Sequence, residues 1–251
     1  MPRCAAARRV KRVHRLARRA LLVAAVLLLA LGIYVFSRAR PQDVPWTALD
    51  LGQPIGLFTG RKIAALTGDP AECRALLDRA GARYDVIPEF GDPPHCQVPD
   101  ALKLAGGARR ITLMPDNPSM ACPVAAGLAV WEWQVVQPQA QRIFGQHVDV
   151  VEHLGVWNCR RMVGTASNAW SEHATADAFD VAGFVLADGT RVNVLKDWNE
   201  GGRKAAFLRA VRAGACDLFS TVLSPDYNAA HADHLHLDQA ERGAMGRRSC
   251  R

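Results

Sequence analysis

The sequence predicts an α+β domain, an antiparallel β-sheet with flanking helices, on three observations. Period-two apolar runs at 178–186 and 190–195 are joined by Asp188 and Gly189, a dipeptide suited to the positive φ of a tight hairpin. Helix-period runs at 69–81, 122–136 and 202–215 are segregated from those strands instead of alternating with each, unlike the βαβ order of a parallel sheet. A chain of 251 residues can bury one sizeable core.

Charge separates the N-terminus from the rest. Of 31 Lys/Arg and 24 Asp/Glu, ten basic and no acidic residues lie in 1–40, leaving 21 basic against 24 acidic, a net −3, over 41–251. The basic pI therefore belongs to a terminal segment, and no nucleic-acid partner is expected for the folded part. Residues 20–36, "ALLVAAVLLLALGIYVF", are seventeen uninterrupted apolar or small residues, preceded by eight Lys/Arg. That pattern predicts a cytoplasmic segment 1–19, a transmembrane signal anchor 20–36 in the inner membrane, and a body exported to the periplasm. A cleaved signal peptide is the competing expectation, since Ser37 and Ala39 are small and correctly spaced for cleavage. Residues 37–55 are polar and proline-containing, which reads as a linker, and the domain is placed at 56–251.

Within the domain, Asp69 as N-cap, Pro70 in the first turn and Gly81 as the stop predict a helix over 69–81. Residues 109–115 read as a strand. The helix over 122–136 sets Leu128, Trp131 and Val135 on one side, a buried stripe more readily than a ligand box, and Pro138 is expected to interrupt it. Strands follow at 147–157 and 178–186, the latter placing Asp180 on one face with Ala178, Ala182 and Phe184. After the hairpin come an amphipathic helix at 202–215 and strands at 218–224 and 234–240. His147 and His153 read as half-exposed strand residues. Six cysteines beyond the apolar run, Cys73, Cys96, Cys122, Cys159, Cys216 and Cys250, suit three disulfides in an oxidising compartment, with sequential pairing expected.

Chemistry concentrates in "SEHATADAFD" (171–180) and "HADHLHLD" (231–238). Strand period places His234 and His236 on one face, about 7 Å apart. A carboxylate such as Asp180 inside an apolar strand is costly to bury unless a cation partners it. His173, Asp180 and His236 offer two imidazoles and one carboxylate, the donor set of a zinc ion with one position open. Against this stands a metal-free polar cluster. His234 is the first candidate for general base and Asp233 the second, although strand alternation turns Asp233 to the opposite face. His231 would complete the cleft wall. Arg160 is a candidate for holding a carboxylate or an oxyanion, set against a merely solvated guanidinium. Ser171 suits capping or orienting the His173 loop; no G-x-S-x-G elbow makes it a nucleophile, and no H-E-x-x-H occurs.

These two stretches resemble the S-x-H-x6-D and H-x-H signatures of the zinc D-Ala-D-Ala metallopeptidases and murein endopeptidases, the Hedgehog/DD-peptidase fold. The resemblance implies zinc on His173, Asp180 and His236 and a catalytic role for His234. Asp233 stands where the dipeptidase branch places a glutamate base. Over most of 42–251 the chain is similar to the bacterial extensin-like C-terminal domain family, through "PWTALDL", "VWNCRR", "SEHATADAFDVAGF", "FLRAVRAGACDLFSTVLSPDYN" and "HADHLHLD". Ala176 stands where that family's pattern has glycine. The expectation is a monomeric, membrane-anchored zinc hydrolase acting on peptidoglycan peptides; the alternative is a metal-containing wall-binding module without turnover.

Overall fold

The computed structural model describes residues 2–104, 111–115, 118–162, 168–243 and 246–251, with side chains from residue 12 onward. Helix α1 (Pro2–Ala39) runs through the basic and apolar segments without a break. Its stretch Arg12–Ala39 is, among the described residues, the one helix long and apolar enough to cross a bilayer, with an 18-residue window at a mean hydropathy of 2.6. A membrane anchor and a signal sequence share that length and composition. Past Ala39 the chain packs against the domain: Gln42, Val44 and Leu51 are buried. Lys62 Nζ donates to the Pro41 carbonyl and the Thr47 hydroxyl, both at 2.9 Å.

Helix α2 (Thr59–Ala64) precedes α3 (Pro70–Arg79), whose N-cap is Asp69, its Oδ1 accepting from the Glu72 N–H at 3.0 Å. Gly81 takes φ +73 just beyond the end of α3, a conformation free of strain only without a Cβ. Strands β1 (Tyr84–Val86), β2 (Ala101–Leu104), β3 (Thr112–Met114) and β4 (Ser119–Ala121) follow. β1, β2 and β4 form a small antiparallel sheet of their own. The sequence reading missed this sheet because runs of three or four residues are too short for period two to register. β3 lies inside the expected strand 109–115, whose first two residues are outside the described ones.

Helix α4 (Cys122–Trp131) is buried on every side, so Leu128 and Trp131 belong to a wholly enclosed helix, not to a stripe. Pro138 does not interrupt it. A π-helical turn, Glu132–Val136, joins α4 directly to α5 (Gln137–Phe144). The proline lacks an N–H and its ring crowds the carbonyl four residues back, so the helix widens where it would otherwise break.

The remaining elements are β5 (Val148–Gly155), β6 (Ala178–Leu186), β7 (Arg191–Asn193), α6 (Val194–Asp197), α7 (Gly202–Ala215), β8 (Thr221–Leu223), β9 (Leu235–Asp238) and β10 (Ser249–Cys250). The main sheet has the order β10-β8-β9-β6-β5-β3, with β7 also paired to β6. Its inner pairs are antiparallel, and only the outer pairs β10 with β8 and β3 with β5 are parallel. The class is α+β as the sequence predicts, with a sheet mixed at its edges.

One register skip corrects a facing. β5 pairs Glu152 with Gly183 and His153 with Val181, which leaves Ala182 as the extra residue of a β-bulge. Side-chain alternation shifts by one at that point. Phe179, Val181, Phe184 and Leu186 are therefore all buried in the core, and Phe184 does not share the face of Asp180. Its ring lies 5.9 Å from Trp131 and 5.0 Å from Phe207, between α4 and α7. His153 is also buried, 5.2 Å from the Phe179 ring, and not half-exposed; His147 stays half-exposed beside Asp149.

The disulfides are Cys73–Cys122, Cys96–Cys159 and Cys216–Cys250. Only the last follows sequential order. α3 packs on α4 and brings Cys73 to Cys122, while Trp157 Nε1 donates to the Cys96 carbonyl at 3.3 Å and holds the two loops of the second bridge together. Spacing along the chain carries no information about either contact.

Candidate metal centre

Strand pairing assembles the centre. β6 and β9 run antiparallel with Asp180 opposite His236, and a 3-10 turn just before β6, Glu172–Thr175, carries His173. Ser171 caps that turn, its Oγ accepting from the His173 N–H at 3.3 Å, so capping and orienting are one interaction. The turn closes at Ala176 with φ +55, the single non-glycine residue at positive φ among the described residues. A Cβ there costs about 1–2 kcal/mol. The strained residue is held by its carbonyl, which accepts from the Ala121 N–H at 2.9 Å.

Three ligand atoms converge. His173 Nε2 lies 3.2 Å from His236 Nδ1 and 3.1 Å from Asp180 Oδ2, and His236 Nδ1 lies 2.9 Å from Asp180 Oδ1. Donors at zinc–nitrogen and zinc–oxygen bond lengths around a tetrahedral ion stand about 3.3 Å apart. The side chains are thus already near the spacing that a shared ion requires. Among the described residues, no other three His, Cys, Asp or Glu side chains converge in this way.

The far side of each imidazole is also fixed. His173 Nδ1 is 2.7 Å from the Val156 carbonyl, which only accepts, so Nδ1 carries the proton and Nε2 turns its lone pair to the cluster. His236 Nε2 meets Asp238 Oδ2 at 3.1 Å, which leaves Nδ1 for the cluster. Burial alone lowers the His236 pKa, but hydrogen bonds to Asp180 and Asp238 outweigh it and push the group up to about 9. Burial likewise raises Asp180, and its close contacts with the His173 and His236 imidazoles overcome this and hold its carboxyl well below the usual range. The pocket is built around positive charge.

Asp238 was not singled out from the sequence, yet "HLHLD" contains the signal: two residues beyond His236, it occupies the same strand face. Asp238→Asn is expected to weaken the affinity of the cluster for an added divalent ion about 10–100-fold while the fold is retained, as read by competition with a chromophoric chelator and by circular dichroism.

His234 and Asp233 form one unit. His234 Nδ1 is 2.8 Å from Asp233 Oδ1, and its Nε2 is 3.6 Å from Asp180 Oδ1. Asp233 thus holds Nδ1, and Nε2 is the ring nitrogen turned to the cluster. The expected opposite facing of Asp233 does not hold, because Asp233 lies in the turn before β9 where strand alternation has not begun. His231 stands beside them, its ring 5.1 Å from His234 and 6.0 Å from His236, with Nδ1 on Asn228 Oδ1 at 2.7 Å. Burial, aided by the neighbouring imidazoles, lowers its pKa to about 4. Arg160 is half-buried, donates to the Arg161 carbonyl at 3.3 Å and acts electrostatically on His231, which places it on the same rim. The Cys96–Cys159 bridge anchors the loop that carries it.

A family model described as extensin-like protein C-terminus matches residues 71–251. No curated protein and no solved structure matches the chain.

Proposed function

The chain belongs to the extensin-like C-terminal family, and from that premise we propose a membrane-anchored periplasmic hydrolase that uses zinc on His173, Asp180 and His236 to cut amide bonds in peptidoglycan peptides. The observation that carries this reading is the convergence of two imidazoles and one carboxylate beside the His234–Asp233 pair. Structural zinc sites close all four positions with protein ligands, whereas three ligands of this kind suit a catalytic ion. When bound, the ion supplies Lewis acidity, polarising a carbonyl and making water more acidic.

His234 takes the proton that attacking water gives up, because its Nε2 faces the cluster while Asp233 holds Nδ1, and it then delivers that proton to the departing amine. Asp233 fixes the ring and stabilises the imidazolium. Arg160, on the rim beside His231, offers its guanidinium to a peptide carboxylate or to the developing oxyanion. The substrate class rests on the likeness of "SEHATADAFD" and "HADHLH" to the D-Ala-D-Ala metallopeptidases, an argument from family and not from geometry.

The test uses full-length protein in mild detergent, supplied with zinc and incubated with purified sacculi. Release of shortened or newly terminated muropeptides, detected by mass spectrometry and abolished by a chelator, is the expected result. Binding to sacculi without release would replace the hydrolase with the wall-binding module.

A further inference from the structure

The turn that presents His173 to the cluster has a second side. There a cavity of about 410 Å³ is lined by Glu172, Asp177 and Glu241 together with apolar groups of Leu66, Val98 and Pro123. His173, Asp180 and His236 are not among its lining residues, so it is a compartment separate from the metal cluster that shares the 172–177 turn as a wall.

Asp177 is only 6% exposed, and its Oδ1 has no hydrogen-bond partner. Its backbone is fully used, the N–H donating to the Glu172 carbonyl and the carbonyl accepting from the Gln239 N–H. The backbone accordingly fixes the residue on the cavity wall, while one of its carboxylate oxygens is enclosed and unsatisfied, an expensive arrangement in a folded chain. Burial, reinforced by Glu172, Asp238 and Glu241, raises its pKa well above the usual range. Among the described residues no salt bridge reaches Glu172, Asp177 or Glu241, whereas Asp100, also on the wall, is paired with Arg74 at 3.2 Å.

We propose that this cavity binds a primary ammonium carried on an unbranched aliphatic stem, such as a lysine-type side chain, with Asp177 at its depth and Glu241 at its mouth. The carboxylates are too widely spread to clasp a single metal ion, since they form no converging group of the kind made by His173, Asp180 and His236. An ammonium has three N–H donors to distribute among separated acceptors, and its methylene stem matches the apolar wall. Only the source of the amine, a peptide of the wall polymer, rests on the proposed function; the site does not.

Binding without turnover separates the two. Full-length protein in detergent is titrated calorimetrically with Nα-acetyl-lysine amide and with Nα-acetyl-norleucine amide, which keeps the stem but lacks the charge. The lysine compound is expected to bind about tenfold or more tightly than the norleucine compound, the worth of a charge-assisted hydrogen bond. Asp177→Asn and Glu241→Gln should each remove most of that preference, and His173→Ala should leave it intact. Glu241 is exposed, so its variant tests the site even if Asp177→Asn folds poorly. Equal binding of both compounds, no binding of either, or an unchanged preference in Glu241→Gln would overturn the proposal. Loss of sacculus digestion with amine binding retained would count against the hydrolase alone.

Discussion

Asp180→Asn is expected to reduce zinc retained after gel filtration from about one ion per chain to a small fraction of that, because removal of an inner ligand exceeds the 10–100-fold loss typical of an outer partner. The amide preserves the side chain's shape but not its charge. His173→Ala and His236→Ala should behave alike, each measured as metal content by mass spectrometry with the fold checked by circular dichroism. Stoichiometric zinc in Asp180→Asn would mean that the ion sits elsewhere. The same cluster predicts a pH dependence. Without an ion His236 holds its proton up to about pH 9, so the hydrogen bonds of the charged ring to Asp180 and Asp238 are present at neutral pH and lost as pH rises through 9. An incoming ion must displace that proton from Nδ1. Apparent affinity should therefore climb about tenfold per pH unit between 7 and 9, with proton release visible by calorimetry in buffers of different ionisation enthalpy.

His234→Ala is expected to lower kcat by about 10²–10⁴-fold while zinc content remains that of the wild type. This split distinguishes a proton carrier from a ligand. Asp233→Asn should have a smaller effect, since its carboxylate is 52% exposed and water replaces part of what it does for His234. Both are measured as turnover of a defined muropeptide at saturating zinc. An unchanged kcat in His234→Ala would transfer the proton-carrying role to another group, with His231, neutral at pH 7 and 5.1 Å away ring to ring, next in position.

Much of the fold was readable one element at a time. β6 spans the expected 178–186, closed by the Asp188–Gly189 turn, and α7 the expected 202–215, through which helix period runs. Asp69 was identified as an N-cap because the cap interaction is local, three residues in length. The convergence of His173, Asp180 and His236 was readable for a related reason: the three occur in two short stretches whose spacing carries their relative facing. What escaped was contact between distant segments. Neither the Cys73–Cys122 nor the Cys96–Cys159 bridge follows from spacing, and the carbonyl of Val156 behind His173 has no side-chain signature at all.

Residue type and period along the chain therefore determined the helices, the central strands and the identity of the converging His173, Asp180 and His236. Only the tertiary structure decided which cysteines meet, that the bulge at Ala182 turns Phe184 into the core, and that Asp233 joins His234 as one unit. The physical reason is range. Backbone periodicity and capping are settled among neighbours a few residues apart, whereas disulfide pairing, strand register and the turn that separates the converging side chains from the neighbouring cavity depend on surfaces that exist only after the chain has closed on itself.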